Sequence, residues 1–158
     1  MPYRSFDQNC SIARSLEIVG ERWTLLILRE VLLGYRRFEE IQRHLGIATN
    51  VLSDRLQTLV DHGVLRKEAT DRPDRFEYRT TRKGAELSPI LASLMRWGDR
   101  WTASEQGPPR VLVHTACGHD TEAVVTCAHC GEELRPNELR VRPGPAADAE
   151  LIAQGMRP

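Results

Sequence analysis

Residues 38–82 constrain the fold of this chain most, because their apolar pattern changes from helical to strand-like in a fixed order. Phe38, Ile41 and Leu45 recur at the spacing of one helix face. Gly46 follows them, and glycine commonly ends a helix because it readily takes the left-handed conformation. We therefore expect a first helix that stops at Gly46, followed by the short turn Ile47-Ala48.

A second helix is expected over residues 49–62, ending at Gly63. Its apolar side chains share one face, and its polar side chains point away from that face. The apolar set is Leu52, Leu56, Leu59 and Val60, and the polar set is Asn50, Ser53, Asp54 and Gln57. Such a helix buries one side and offers hydrogen bonds with the other.

Two strand-like runs, residues 64–68 and 76–80, come next. The segment 71–75 joins them, and its proline and aspartates favour a turn. The order helix, turn, helix, hairpin is typical of a winged helix-turn-helix, a module that reads DNA. The fold class predicted is therefore mainly α with a small β-hairpin wing.

Polar chemistry favours DNA binding over a generic small α+β domain. Amide, hydroxyl and carboxylate groups near the start of the second helix suit base edges, whereas nearby arginines suit phosphates. Net charge adds little, since residues 36–82 hold ten Lys or Arg against eight Asp or Glu. The arginines expected near phosphates are Arg36, Arg37, Arg55, Arg72 and Arg75.

The composition fits one principal domain with a modest appendage, at 158 residues, 41% hydrophobic and 28% charged with zero formal net charge. No stretch approaches the roughly twenty apolar residues that cross a bilayer, and the first residues lack an apolar leader. We expect a cytoplasmic protein that does not enter membranes. The expected domains are 1–106 for DNA binding and dimerisation, 110–142 for a separate small unit, and 143–158 as a disordered tail.

Two helices outside the DNA-reading unit carry apolar stripes. Ile12, Leu16 and Val19 form one near the N-terminus, and a long helix starting near Ser88 carries another. That second stripe ends in two tryptophans, and it either closes the core of a monomer or forms a dimer interface with the N-terminal helix. We favour the dimer, because aromatic residues are enriched at such contacts. Its members are Leu87, Ile90, Leu91, Leu94, Trp97 and Trp101.

Five motifs together resemble the HxlR family of bacterial winged-helix transcription regulators, which are distantly related to the MarR group. The resemblance covers residues 10–97, and the combination is more specific than any one motif. The motifs are residues 10–14 (CSIAR), 20–30 (GERWTLLILRE), Arg37-Phe38, 52–56 (LSDRL) with Gly63, and 81–84 (TRKG).

This resemblance implies a homodimeric transcription regulator, more often a repressor than an activator, that binds double-stranded DNA. Two recognition helices would enter major grooves about 34 Å apart, or a multiple of that, on a pseudo-palindromic operator. Asn50, Ser53 and Asp54 would contact bases, although Asp54 could instead pair with a neighbouring arginine. The phosphate contacts would come from Thr49, Arg55, Arg36 and Arg37, with Arg72 and Arg75 at the wing tip.

The same resemblance implies that a signal enters at Cys10, since family members often sense oxidants or electrophiles at this position and others respond to small molecules. Cys10 follows Asn9, a good N-cap residue, and a helix N-terminus favours a thiolate. The alternative is a small buried residue that only packs. The inducer, oxidant or small molecule, stays open.

Residues 111–140 carry two pairs of potential metal ligands, His114-x-x-Cys117 and Cys127-x-x-Cys130-Gly131. Two pairs at this spacing are typical of a tetrahedral Zn²⁺ site that stabilises a small fold. The sequence therefore predicts a β-rich, zinc-ribbon-like extension with structural Zn²⁺. His119 competes with His114 as the fourth ligand, and we choose His114 for its spacing to Cys117.

Other functions are weaker alternatives. A catalytic zinc site would resemble that of a deaminase, but the required His-x-Glu and Pro-Cys-x-x-Cys motifs are missing. Because no phosphate-binding glycine loop or nucleophile elbow is present either, we expect no enzyme. The alternative from another class is a protein-interaction module, in which the zinc ribbon docks a partner and the winged helix contributes protein contacts.

Overall fold

The computed structural model describes residues 5–72, 75–149 and 152–153. The DNA-reading unit is built from helices α2, α3 and α4 and a two-stranded wing, with α1 before it and α6 after it. The elements in chain order are α1 (Ser11–Val19), α2 (Thr24–Leu32), α3 (Phe38–Leu45), α4 (Thr49–Asp61), β1 (Leu65–Ala69), β2 (Phe76–Thr80), α5 (Arg82–Ala85), α6 (Ser88–Thr102), β3 (Leu112–His114) and β4 (His119–Thr121).

Helix α2 lies at the centre of the core and contacts α3, α4, β2 and α6. Its side chains Ile27 and Leu28 are fully buried, together with Ile41 from α3. From α4, the predicted apolar face is buried at Leu52, Leu56 and Leu59. Burial of one face on each helix explains why the unit is stable in this arrangement.

The turn between α3 and α4 depends on Gly46, which has φ +60° in the left-handed region, as predicted from the sequence. Ile47 inside the turn is buried at 4% exposure and fixes the turn against the core. The side-chain amide of Gln42 donates a hydrogen bond to the hydroxyl of Thr49 over 2.7 Å. This contact holds the last turn of α3 against the first residue of α4.

The wing is an antiparallel hairpin whose register pairs Leu65 with Thr80 and Ala69 with Phe76. Its first strand begins one residue later than the expected 64–68. The reason is that the backbone N–H of Val64 still donates to the carbonyl of Leu59, over 2.8 Å, and so belongs to the end of α4. The second strand occupies the predicted residues.

The junction between the wing and α6 is tightly packed against the end of α4. The Thr81 hydroxyl donates to the carbonyl of Gly63 over 2.6 Å, and the Lys83 ammonium donates to the carbonyl of His62 over 2.8 Å. Gly84 is buried, and a Cβ atom built on it would lie 2.1 Å from the carbonyl oxygen of Val64. Only glycine therefore fits this position without a shift of the backbone.

Helix α6 starts at Ser88 with Pro89 in its first turn, as expected. None of its residues is buried within the described chain. Leu87 and Leu91 of its apolar stripe are half-buried against the core, whereas Ile90 and Leu94 are exposed. Trp97 is 59% exposed and Trp101 is 66% exposed, while Ile12 of α1 is 71% exposed. Leu87 and Leu91 thus help to close the core, while the rest of the α6 stripe and Ile12 of α1 are left uncovered by the described residues.

The segment after α6 forms a short antiparallel hairpin, in which His114 pairs with His119. An isolated bridge between Thr126 and Glu133 marks a second small turn. No residue of 110–142, all of which are described, is buried. A zinc ribbon in this segment stays a prediction.

Part of the expected disordered tail, residues 150–151 and 154–158, lies outside the described residues. Within the described part, the side-chain amide of Asn9 donates to the carbonyl of Ala146 over 2.9 Å and to the Asp148 carboxylate over 3.0 Å. No helix among the described residues is long and apolar enough to span a bilayer.

Candidate nucleic-acid interface

The outward face of α4 presents polar groups that are free to bind a ligand. Asn50 and Ser53 are exposed in the first half of the helix, opposite the buried leucines. Neither side chain has a hydrogen-bond partner among the residues that the structure describes. When a base edge binds here, the amide and the hydroxyl give up hydrogen bonds to water only. Binding therefore leaves no group inside the protein unpaired.

Asp54 and Arg55, next on the same helix, are engaged with each other. The Arg55 Nη2 atom lies 2.5 Å from Asp54 Oδ2, and its Nη1 atom lies 3.7 Å from Glu21 Oε2 in the α1–α2 connection. Asp54 thus pairs with a neighbouring arginine in this structure, and its contact with a base stays a prediction. A phosphate that approached Arg55 would have to compete with two carboxylates.

Arg72 and Arg75 lie on the exposed tip of the wing. The backbone N–H of Arg75 donates to the Arg72 carbonyl over 3.3 Å, and Thr70 N–H donates to the Arg75 carbonyl over 3.0 Å. Pro73 and Asp74, predicted to form this turn, lie outside the described residues. In the described part of the chain, neither arginine has a carboxylate partner, so both guanidinium groups are open to solvent.

The strands of the wing, in contrast, carry arginines that are neutralised. Glu68 lies between Arg66 and Arg79, with contacts of 2.5 and 2.8 Å. The hydrogen bond from Arg66 and the positive charges of both arginines lower the pKa of the Glu68 carboxyl group. Glu77 contacts Arg79 at 3.0 Å and Arg37 at 3.9 Å. In the described part of the wing, the arginines without a carboxylate partner therefore lie at the tip, whereas Arg66 and Arg79 of the strands are paired.

The remaining predicted phosphate contacts, Arg36, Arg37 and Thr49, lie at the starts of α3 and α4. Arg36 precedes α3, and its carbonyl accepts a hydrogen bond from the Tyr78 N–H of the wing over 2.8 Å. The Arg37 side chain is exposed, and Thr49 is exposed at the first residue of α4. The fold thus brings the α4 face and these three residues into one helix-turn-helix unit.

Sequence reasoning missed the residues that position this unit. Glu30 is buried in α2 and contacts His44 of α3, and Gln42 holds the start of α4. A signal for Glu30 was present, because a carboxylate stands among the apolar residues of the central helix. The sequence did not indicate a role for Glu21, because its contact with Arg55 joins two elements that lie far apart in the chain.

Cys10 is partly buried and stands at the N-cap position of α1 itself. The expectation that Asn9 caps this helix is wrong, because Asn9 bonds to residues 146 and 148 and to Arg14 instead. No side-chain capping hydrogen bond forms at Cys10. Even so, the backbone N–H groups of Ala13 and Ile12 lower the pKa of its thiol, and the charge of Arg14 adds to the effect.

The predicted metal ligands are brought together as two pairs. The Sγ atom of Cys117 lies 3.4 Å from Nδ1 of His114. Cys127 and Cys130 share one turn, in which the N–H of Gly131 donates to the Cys127 carbonyl over 2.9 Å. Among the described residues, no three His, Cys, Asp or Glu side chains form a group that could hold a metal ion.

Comparison with known proteins gives one family. The model of the HxlR-like helix-turn-helix family matches residues 18–106, more than half of the chain. An uncharacterized HTH-type transcriptional regulator of Mycobacterium tuberculosis is 44% identical over 144 residues, which cover 90% of this chain and 91% of that protein. The similarity therefore extends well beyond the helix-turn-helix.

Two solved structures share the fold over most of the chain. PA1607, described as a candidate transcription factor, superposes with a TM-score of 0.79 at 33% identity, covering 87% of this chain and 97% of its own. PA1374 of Pseudomonas aeruginosa, described in the same way, gives a TM-score of 0.62 at 39% identity, covering 92% and 99%.

Proposed function

Since this chain belongs to the HxlR-like helix-turn-helix family and is a DNA-binding transcription regulator, we propose that it acts as a homodimeric repressor on a pseudo-palindromic operator. Each α4 enters a major groove, and each wing tip contacts the flanking backbone or minor groove. The family consists of transcription regulators, and we propose no enzymatic activity.

The observation that carries this proposal is the free polar face at the start of α4. Asn50 and Ser53 are exposed without protein partners, in the half of a recognition helix that meets base edges. An asparagine amide suits adenine, to which it can donate and accept together. Asp54 contributes to base recognition only if a cytosine, directly or through a water molecule, replaces the Arg55 guanidinium group as its partner.

Affinity comes from phosphate contacts around this face. Arg72 and Arg75 are unpaired within the described residues and reach the DNA backbone without losing an internal ion pair. Arg55 and Arg37 exchange a carboxylate for a phosphate, so their net contribution is smaller. Arg36 and Thr49 complete the set at the starts of α3 and α4.

A homodimer is supported by the apolar surface left open on α1 and α6. Exposed aromatic and aliphatic side chains in one stripe mark an interface when a single chain does not cover them. A second copy of the chain supplies a matching stripe and sets the spacing of the two α4 helices. The exposed apolar side chains are Ile12 and Leu16 on α1 and, on α6, Ile90, Leu94, Trp97 and Trp101.

We propose that the signal enters at Cys10, on α1 within this interface. Backbone N–H groups lower the pKa of its thiol, which raises the fraction of thiolate, the reactive form. A peroxide or another electrophile that modifies this sulfur would add a polar or bulky group beside the dimer contact. A small-molecule inducer at the same interface is the alternative source of the signal. The compartment we propose is the cytoplasm, because the regulator must reach the chromosome.

The test is binding of the purified chain to the intergenic DNA upstream of its own gene, compared with a scrambled duplex at physiological salt. We expect preference for the intergenic DNA, loss of that preference in Asn50→Ala, and its retention in Gln57→Ala. Gln57 carries the same amide two turns further along α4, where it bonds to Asp61 over 2.7 Å. Equal binding of both duplexes by the unchanged protein would contradict the proposal.

A further inference from the structure

Two turns in the segment after α6 have the same construction. In the first, the N–H of Gly118 donates to the carbonyl of His114 over 2.7 Å; in the second, the N–H of Gly131 donates to the carbonyl of Cys127 over 2.9 Å. Both glycines lie in the left-handed region, at φ +73° and +78°. A repeated turn of this kind, closed by glycine, holds the two side chains at its first and fourth positions on one side.

The side chains at those positions are the four soft or borderline ligands of the segment. His114 and Cys117 occupy the first turn, and the Cys117 sulfur lies 3.4 Å from the His114 ring nitrogen. Cys127 and Cys130 occupy the first and fourth positions of the second turn, which the N–H of Gly131 closes onto the Cys127 carbonyl. Each turn therefore presents a pair of groups that can bind one edge of a tetrahedral ion.

The segment has no apolar core of its own to stabilise it. No residue of 110–142 is buried, and the two strands of its hairpin have three residues each. A unit of this size without an apolar core usually needs a metal ion or a disulfide to keep one structure. The thiols here are free, so a metal ion is the better explanation.

One arginine of α6 contacts both halves of the segment. The Nε atom of Arg96 lies 3.0 Å from Glu122, which follows β4, and its Nη2 atom lies 3.3 Å from Glu133, which follows the second turn. Because both carboxylates meet the same guanidinium group, the two halves lie side by side against α6. Arg96 therefore holds the two halves next to each other, although the two ligand pairs do not form one group in this structure.

We propose that His114, Cys117, Cys127 and Cys130 bind one Zn²⁺ per chain, and that this ion orders residues 110–142 against α6. In the structure the ligands form two separate pairs, so binding includes an approach of the two turns. Three thiols lose their protons to solvent as three zinc–sulfur bonds form, and the neutral imidazole supplies the fourth bond.

Two other histidines are near, and both serve as controls. His119 faces His114 across the hairpin, and His129 lies inside the second turn. Among the described residues, neither imidazole ring contacts a thiol as that of His114 contacts Cys117. Substitution of His119 or His129 should therefore leave the metal bound, whereas substitution of His114 should release it.

The test is the zinc content of the full-length chain purified without chelators, measured by elemental mass spectrometry. We expect one zinc per chain in the unchanged protein, in His119→Gln and in His129→Gln. We expect loss of more than nine-tenths of the zinc in Cys117→Ser and in Cys127→Ser. Cobalt substituted for zinc should show the visible absorption and thiolate charge-transfer bands of a tetrahedral site.

A second measurement separates a metal site from general unfolding. Hydrogen exchange after removal of zinc should accelerate in residues 110–142 and leave α2 to α4 unchanged. In Arg96→Ala the zinc should remain, while exchange in 110–142 accelerates. The proposal is overturned if the unchanged chain contains no zinc and gains none on addition of Zn²⁺, or if Cys127 and Cys130 are found as a disulfide in freshly purified protein.

Discussion

The Oε2 atom of Glu30 lies 3.1 Å from Nδ1 of His44, so a carboxylate that is only 2% exposed joins α2 to α3. Its other oxygen accepts two hydrogen bonds from Arg29, at 2.6 and 3.0 Å. The ring of Tyr35 packs edge-on against His44 with 3.9 Å between centroids. A polar cluster around one buried carboxylate therefore fixes the helix that precedes the turn of the helix-turn-helix.

Replacing Glu30 with alanine should lower the free energy of unfolding by about 2 to 3 kcal/mol, because Arg29 and His44 lose a buried partner while remaining partly hydrated. Urea unfolding followed by circular dichroism measures this change. Glu86→Ala removes an exposed i,i+4 partner of Arg82 and should leave the midpoint nearly unchanged. Equal midpoints for Glu30→Ala and the unchanged protein would show that the cluster does not stabilise the fold.

Gly84→Ala should destabilise the protein by about 1 to 3 kcal/mol, since the new Cβ would collide with a backbone carbonyl that cannot rotate away. Gly98→Ala is the matched control, because its Cβ would meet only the Thr102 hydroxyl at 3.6 Å. In the middle of α6, that change should be neutral or stabilising through helix propensity. Thermal unfolding of both variants distinguishes these results, and a tolerated Gly84→Ala would contradict the close approach to Val64.

Trp97→Glu should weaken the proposed dimer at least tenfold, because a carboxylate would enter the apolar stripe of α6. Sedimentation velocity over a range of concentrations measures the association. Val141→Glu makes the same kind of change at a side chain that is 95% exposed and off this stripe, and it should not alter association. A Trp97→Glu protein that associates like the unchanged chain would remove this face from the interface.

Alkylation of Cys10 should proceed at a lower pH in the folded protein than in the same chain in denaturant. The backbone N–H groups of Ala13 and Ile12 favour the thiolate, so the folded pKa lies below the unfolded one. By linkage, the thiolate adds to stability at pH values above the unfolded pKa, and this contribution is lost as the pH falls through the folded pKa. Peptide mapping of the alkylated chain separates Cys10 from Cys127, whose pKa is also lowered. Coincident pH profiles for folded and denatured Cys10 would argue against activation.

The salt dependence of operator binding should separate the unpaired arginines from the paired ones. Arg75→Ala removes one phosphate contact per subunit, so the slope of log K against log salt should become shallower by about 1.8 for a dimer. Arg66→Ala removes a cation already held by Glu68 at 2.5 Å and should change the slope less. Fluorescence anisotropy between 50 and 200 mM salt, about the range over which such slopes are resolved, gives both values. Identical slopes for the two variants would show that pairing with an internal carboxylate does not reduce the contribution of an arginine to DNA binding.

The helix-turn-helix could be predicted from the sequence because its information is local. Apolar periodicity placed α3 and the buried face of α4, and Gly46 placed the turn. The start of β1 differs from the prediction by one residue because the N–H of Val64 is hydrogen-bonded to the Leu59 carbonyl of α4. Strand propensity does not predict such a bond. Local pattern thus predicts which elements exist better than where they begin.

Contacts between separate elements could not be predicted from the sequence in the same way. Three contacts depend on how distant segments fold together. Arg55 pairs with a residue in the α1–α2 connection, and Asn9 bonds to residues 146 and 148. Gly84 packs closely against Val64. The ligand pairs in residues 110–142 were visible as spacing, but their matching turns and their attachment through Arg96 were not. Such features need coordinates because the residues lie far apart in the chain.

The junction at Thr81, Lys83 and Gly84 has a mechanical consequence. Two hydrogen bonds fasten it to the last carbonyls of α4, and the contact of Gly84 with Val64 leaves no empty volume to absorb a displacement. The start of α6 is only a few residues away. We therefore expect a rotation of α6 to move α4 as part of the same stiff body. In the proposed dimer, the arrangement of the two subunits and the spacing of their α4 helices would then change together.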